Sequence, residues 1–148
     1  MPEHGPRSGT AQLLTALAAA AVLVHLYALY RPEGPGGWSW FPQLDKVEHV
    51  LGFALPVCLV LLARLAAARQ APGPRTSRVW WLVTGVFAAH AVVSELVQHH
   101  FYARRSGDPL DVLADWAGVA LGWGAARMLT GRWPDVVRAG PHAPARTP

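Results

Sequence analysis

Apolar residues fall into four long blocks, separated by short polar or Pro/Gly-rich stretches. The first runs from about Ala11 to Tyr30, the second from Asp45 to Arg69, the third from Val79 to Phe101 and the fourth from Leu110 to Leu129. About twenty helical residues at 1.5 Å each cover roughly 30 Å, one hydrocarbon thickness of a bilayer. The pattern predicts an all-α, polytopic membrane protein: a four-transmembrane-helix bundle. Pro56 predicts a kink in the second span, and Arg64 and Arg69 suit side chains that snorkel to the interface. Arg7 before the first block and the alanines within it also fit a cleaved signal peptide, but the apolar core is longer than the usual 7–15 residues or so. It is read as a retained span. The expected organisation is a short cytoplasmic segment over 1–10, a membrane domain over 11–130 and a disordered cytoplasmic tail over 131–148, rich in Pro, Gly and Arg.

Composition sharpens this picture. The chain has 148 residues, 52% hydrophobic and 15% charged, against about 25% charged for soluble domains. The charges are bunched: none lies between Arg7 and Arg31, and none between Arg78 and Glu95. The net charge of +4 does not imply nucleic acid, because the arginines sit at segment ends and form no patch interleaved with aromatics. Cys58 is the single cysteine, so an internal disulfide is excluded. Trp38, Trp40 and Phe41 suit an interfacial belt, and Trp80, Trp81, Trp116 and Trp123 suit anchoring and packing.

Counting basic residues gives an orientation. Nine (Arg7, Arg64, Arg69, Arg75, Arg78, Arg127, Arg132, Arg138 and Arg146) lie with the termini and the second connection, and four (Arg31, Lys46, Arg104 and Arg105) lie on the other side. The excess places both termini in the cytoplasm of a multi-pass cell-membrane protein. Most of the acids fall at the opposite, outer edge, a division the orientation rule does not require.

Those acids belong to a polar run laid over apolar helices. Asp45, Lys46 and His49 open the second span, with Asp45 and His49 on one face at i,i+4. Glu95 and Gln98 close the third. Asp111 and Asp115 open the fourth at i,i+4. Counted from the span ends, His49, Glu95 and Asp115 lie roughly 6–9 Å deep. An aspartate at a helix centre costs about 2.5–3.5 kcal/mol on insertion scales, so a shared pocket with mutual partners is the economical arrangement. Local explanations stay open: Asp45 and Asp111 as helix caps, Lys46 and Arg105 as headgroup contacts, His49 as a structural histidine, Gln98 as inter-helix glue. His99 stands at i,i+4 from Glu95, but no second such pair supports a metal site, and none is expected. No other cofactor is suggested. His90 and Ser94, at i,i+4 in the third span, read as core polar contacts, and His25 as an isolated structural histidine. Gly118 and Gly122 form a G-x-x-x-G that admits a close neighbouring helix.

These blocks resemble the VanZ-like family of small bacterial membrane proteins. The resemblance rests on D-K-V-E-H from Asp45, S-E-L-V-Q from Ser94, and R-S-G-D-P-L-D-V-L-A-D-W-A-G-V-A-L-G from Arg105, and covers about residues 45–122. Family members resemble D-K-x-x-H, E-x-x-Q and R-x5-D-x3-N-x2-G-x3-G at the same places. Asp115 stands where the family has Asn, and Val50 where an aromatic is common. The resemblance implies a compact four-span protein of the cell membrane, and the family's name comes from a member linked to glycopeptide (teicoplanin) resistance.

The leading expectation is a cell-envelope protein that handles an anionic lipid or a lipid-linked cell-wall intermediate. Glu95, His49, Asp111 and Asp115 are the candidates for acid–base chemistry. Lys46, Arg105, Gln98 and Asp45 are the candidates for binding, the two cations facing phosphate. Two alternatives remain: a small proton-coupled transporter and a non-catalytic membrane interaction module. Substrate, catalysis and oligomeric state are not fixed by the sequence.

Overall fold

A computed structural model describes residues 9–31, 44–68, 76–102 and 107–131. These residues are all-α: α1 (Gly9–Tyr30), α2 (Leu44–Ala68), α3 (Thr76–Phe101) and α4 (Pro109–Thr130). Each helix coincides with one predicted apolar block, and no end differs by more than three residues. α1, α2 and the Arg78–Phe101 part of α3 are each long and apolar enough to cross a membrane. α4, which carries Asp111 and Asp115 in its first two turns, falls outside that set. The belt residues Trp38, Trp40 and Phe41, together with Arg104, Arg105 and the tail from Arg132, lie outside the described residues.

The outer surface of the helices is apolar. Leu23, Val24, Tyr27, Leu51, Leu55, Leu82, Val86, Leu96, Leu121 and Met128 are all exposed, whereas soluble monomers rarely expose patches of this extent. Conversely, the buried positions include Ser94, Glu95, Gln98, Asp111 and Asp115. A lipid solvent explains both observations, since it welcomes apolar side chains and turns polar ones inward.

α2 is the central helix. It packs most extensively on α4 and next on α1; α3 closes against α4 and α2, and α1 touches α3 only lightly. The G-x-x-x-G of α4 lies on α2. A methyl group on Gly118 would run into the Val50 carbonyl oxygen and lie 2.9 Å from the Phe53 Cβ. On Gly122 it would run into the Ala54 carbonyl oxygen and lie 3.0 Å from the Val57 Cβ. Only hydrogen fits at both positions, so the backbones approach as the motif predicts. Phe53, Val57, Leu61 and Leu65 of α2, Trp80 and Ala91 of α3, and Val119 and Ala126 of α4 form the apolar core. Trp80 meets Trp123 edge-on at 5.8 Å.

α2 runs unbroken through the buried Pro56, and here a second polar network appears. Proline has no N–H to give the carbonyl four residues earlier, which is that of Gly52. The His25 ring of α1 lies against the Gly52 backbone instead. His25 Nε2 lies 3.3 Å from His90 Nδ1 of α3, and His90 Nε2 lies 3.0 Å from the Tyr30 hydroxyl. One assignment of protons satisfies every member: Tyr30 donates to His90, His90 to His25, and His25 to the Gly52 carbonyl, with both rings neutral. His25 is therefore structural but not isolated. Ser94 donates to the Ala91 carbonyl within its own helix.

Candidate functional site

The amino-terminal ends of α2 and α4 and the carboxy-terminal end of α3 meet, and each brings its polar residues to the junction. Asp108, just ahead of α4, makes the first link. Its backbone is extended, its side chain accepts from the Leu110 N–H, and Pro109 follows in the first turn. This is an N-cap followed by a proline that needs no donor. The cap therefore falls on Asp108, not on Asp111, and frees Asp111 to point into the bundle.

Lys46 sits at the centre of an acidic ring. Its Nζ donates to Asp111 Oδ1 at 2.5 Å and to Asp108 Oδ2 at 2.9 Å, and lies 3.1 Å from Asp45 Oδ2. Three carboxylates thus surround the only lysine of the chain. The Lys46 ammonium, followed by the Leu110 N–H, holds the Asp108 carboxyl below the usual carboxylate range.

Deeper in, His49 Nδ1 lies 2.8 Å from Asp115 Oδ1, and its Nε2 lies 3.8 Å from Asp111 Oδ1. Asp115 is fully buried, and its Oδ2 has no hydrogen-bond partner among the described residues. Glu95, also buried, accepts from the Asp108 backbone N–H through Oε2 at 3.1 Å. One ligand-type atom each of His49, Glu95 and Asp111 lies within 4.8 Å of the other two. A cleft of about 60 Å³ between α1 and α2, lined by His25, Arg31, Glu48, His49 and Gly52 among others, reaches the histidine from the side.

Of the eight candidate residues, Lys46, His49, Glu95, Asp111 and Asp115 meet in one cluster, with Asp45 at its exposed rim. Gln98 is buried but faces elsewhere: its Nε2 donates to the Leu29 carbonyl at 3.4 Å and ties α3 to the last turn of α1. Arg105 lies outside the described residues. Asp108 joins the cluster without being among the sequence-derived candidates, and the D-P pair before an apolar block is its signal. His99 and His100 are exposed, and His100 bonds the Leu96 carbonyl of its own helix.

Chemically, the cluster can hold and move protons. A histidine anchored through Nδ1 to a buried carboxylate presents Nε2 as base or acid, and two further carboxylates stand within reach of it. Comparison of the chain with protein families, characterised proteins and solved structures finds no match.

Proposed function

We propose that the protein is a VanZ-like, four-span membrane protein whose polar end faces away from the cytoplasm and acts on the headgroup of an anionic lipid or lipid-linked cell-wall intermediate. The observation that carries this reading is the His49–Asp115 pair beside Glu95 and Asp111 at one end of an apolar bundle. Proton-transfer groups at a membrane edge suit a substrate that has its tail in lipid and its reactive group in water.

α4 supplies the fourth span in this reading. Its 22 residues extend about 33 Å. Leu110, Leu113, Leu121, Met128 and Leu129 are exposed, while Asp111 and Asp115 are buried. The basic-residue excess at the other end sets the orientation. His49 acts as general base or acid through Nε2, Glu95 as its complement, and Asp115 holds the ring. Phosphate recognition falls mainly to Arg105, because Lys46 is already shared among three aspartates.

The test is mass spectrometry of lipids that co-purify with the wild type and with Arg105→Ala, together with complementation by Glu95→Gln. The proposal expects an anionic species enriched in the wild type and lost in the arginine variant, and a folded Glu95→Gln protein without function. Recovery of the same bulk phospholipids from both, or full function of Glu95→Gln, overturns it. The ring around Lys46 also favours a second reading, a structural lock that presents the protein to a partner. That reading expects the exchange Lys46→Asp with Asp111→Lys to restore function, which an acid–base site does not tolerate.

A further inference from the structure

The cluster has more negative charge than its described cations balance. Leaving Glu95 aside, Asp45, Asp108, Asp111 and Asp115 face one lysine and one histidine. Asp115 sharpens the point. Its carboxylate points into the cluster, since Oδ1 meets His49, yet Oδ2 is buried with no donor against it among the described residues. A buried carboxylate oxygen without a donor calls for a proton or a nearby cation.

We propose that His49, Glu95 and Asp111 bind one divalent metal ion of the Zn2+ or Mn2+ class, with Asp115 as the positioning residue behind the histidine. This goes beyond the lipid reading and stands without it: in the ion-bound state His49 Nε2 and Glu95 hold the ion, and the proton-transfer roles given to them above belong to the ion-free protein. Three atoms no more than 4.8 Å apart always have a point within about 2.8 Å of each (4.8 Å divided by √3). Metal–ligand distances of about 2.0–2.2 Å for imidazole and carboxylate need a closure of well under 1 Å. The ligands come one each from α2, α3 and α4, so side-chain rotation suffices.

The histidine has the arrangement a ligand needs. With Nδ1–H given to Asp115, the Nε2 lone pair is left on the side of Asp111, 3.8 Å away. Metal-bound histidines almost always donate their other ring N–H in this way, and the outer carboxylate typically contributes 10–100-fold in affinity. One imidazole with two carboxylates is a borderline donor set, between the oxygen-only cages of Mg2+ and Ca2+ and the thiolate-rich sites of softer ions. Three protein ligands leave open positions, as in sites that bind substrate.

Lys46 supplies a distinguishing consequence. Its ammonium rests on Asp111 Oδ1 at 2.5 Å, on the carboxylate the metal would use. Lysine and metal therefore compete, and removing the ammonium should tighten metal binding. A purely structural lock makes no such demand. Exposed His99 and His100, with rings 5.1 Å apart at the same end of the molecule, are the obvious adventitious binders.

The experiment uses the full chain in nanodiscs, stripped with chelator, with no lipid substrate and no activity assay. Zn2+ is titrated by calorimetry and Mn2+ by electron paramagnetic resonance. One site per chain is expected. His49→Ala and Glu95→Gln should weaken binding at least tenfold, and Asp115→Asn about 10–100-fold. Lys46→Gln should strengthen binding, and His99→Ala with His100→Ala should leave it unchanged. Should His49→Ala fail to fold, Glu95→Gln and Lys46→Gln still decide, their thermal transitions serving as the check on folding. Absence of saturable binding in both the wild type and Lys46→Gln overturns the proposal, as does loss of binding in the His99/His100 variant alone. Because the readout is metal occupancy, a negative result here leaves the lipid test above intact, and a negative lipid result leaves this one intact.

Discussion

Asp108 caps α4 with one carboxylate oxygen and meets Lys46 with the other, while its N–H bonds Glu95. It lies between spans, so its titration can be argued directly. Its folded pKa is depressed, and its charge therefore stabilises the fold fully above the ordinary carboxylate value of about 3.9. That contribution is lost only as pH falls through the lower, folded value. Hydrogen exchange at the first turn of α4 should accelerate below that point in the wild type. In Asp108→Asn, which keeps an N-cap side chain, exchange should already be faster at neutral pH and should lack this acid-linked rise. Identical pH profiles for the two proteins would contradict this account. Gly118 tests a different property. Gly118→Ala should destabilise by about 1–3 kcal/mol through overpacking against α2. Gly124→Ala, at a helical position with open space around it, should be neutral or stabilising by up to about 1 kcal/mol. Thermal unfolding in one detergent compares the two.

Among the elements, α2 organises the rest, and Pro56 is its one irregular residue. The chain from Tyr30 through His90 and His25 to Gly52 joins α1, α3 and α2 at the carbonyl that proline leaves without its helical donor. His25→Phe should therefore cost about 0.6–2 kcal/mol, the range of an inter-helix hydrogen bond in a membrane. In a Pro56→Ala background, where the N–H is restored, the loss should be smaller. A double-mutant cycle with no coupling between the two sites would refute the link. This network also marks a limit of sequence reading. The helices themselves were legible, because blocks of about twenty apolar residues have few other uses. Pairing was not. His25 and His90 are 65 positions apart, on helices that barely touch; His25 alone reads as a lone histidine, and the sequence neighbour of His90 on its own helix face is Ser94. Lys46 and Asp111 were placed at the right end by counting depth along their helices. That Lys46 meets Asp108 as well as Asp111, and that Glu95 meets the Asp108 backbone, depends on the cap of α4, which lies just ahead of the apolar block. The trio of His49, Glu95 and Asp111 has one member per helix, so no local spacing announces it.

At the scale of the whole molecule, the apolar exterior and buried acids describe a protein whose solvent is lipid. The proposed topology makes a direct prediction. With Cys58 replaced, a single cysteine introduced at Ser106 should react with a membrane-impermeant maleimide in intact cells, and one at Gly73 only after lysis. The reverse pattern would invert the orientation and move the acidic cluster to the cytoplasmic side. The polar line from Lys46 through His49 and Asp115 gives way to the apolar core of Val57, Leu61 and Val119. A carrier would need hydrophilic groups to continue past that point.

The ring around Lys46 also bears on how the chain is made. Two of its three acidic neighbours follow it by 62 and 65 positions. At about 5–20 residues per second, ribosomes deliver them some 3–13 seconds after the lysine emerges. Until then the nascent second helix holds its ammonium at the bilayer lip with Asp45 alone nearby. A chain stopped before α4 lacks two of the three counter-charges permanently.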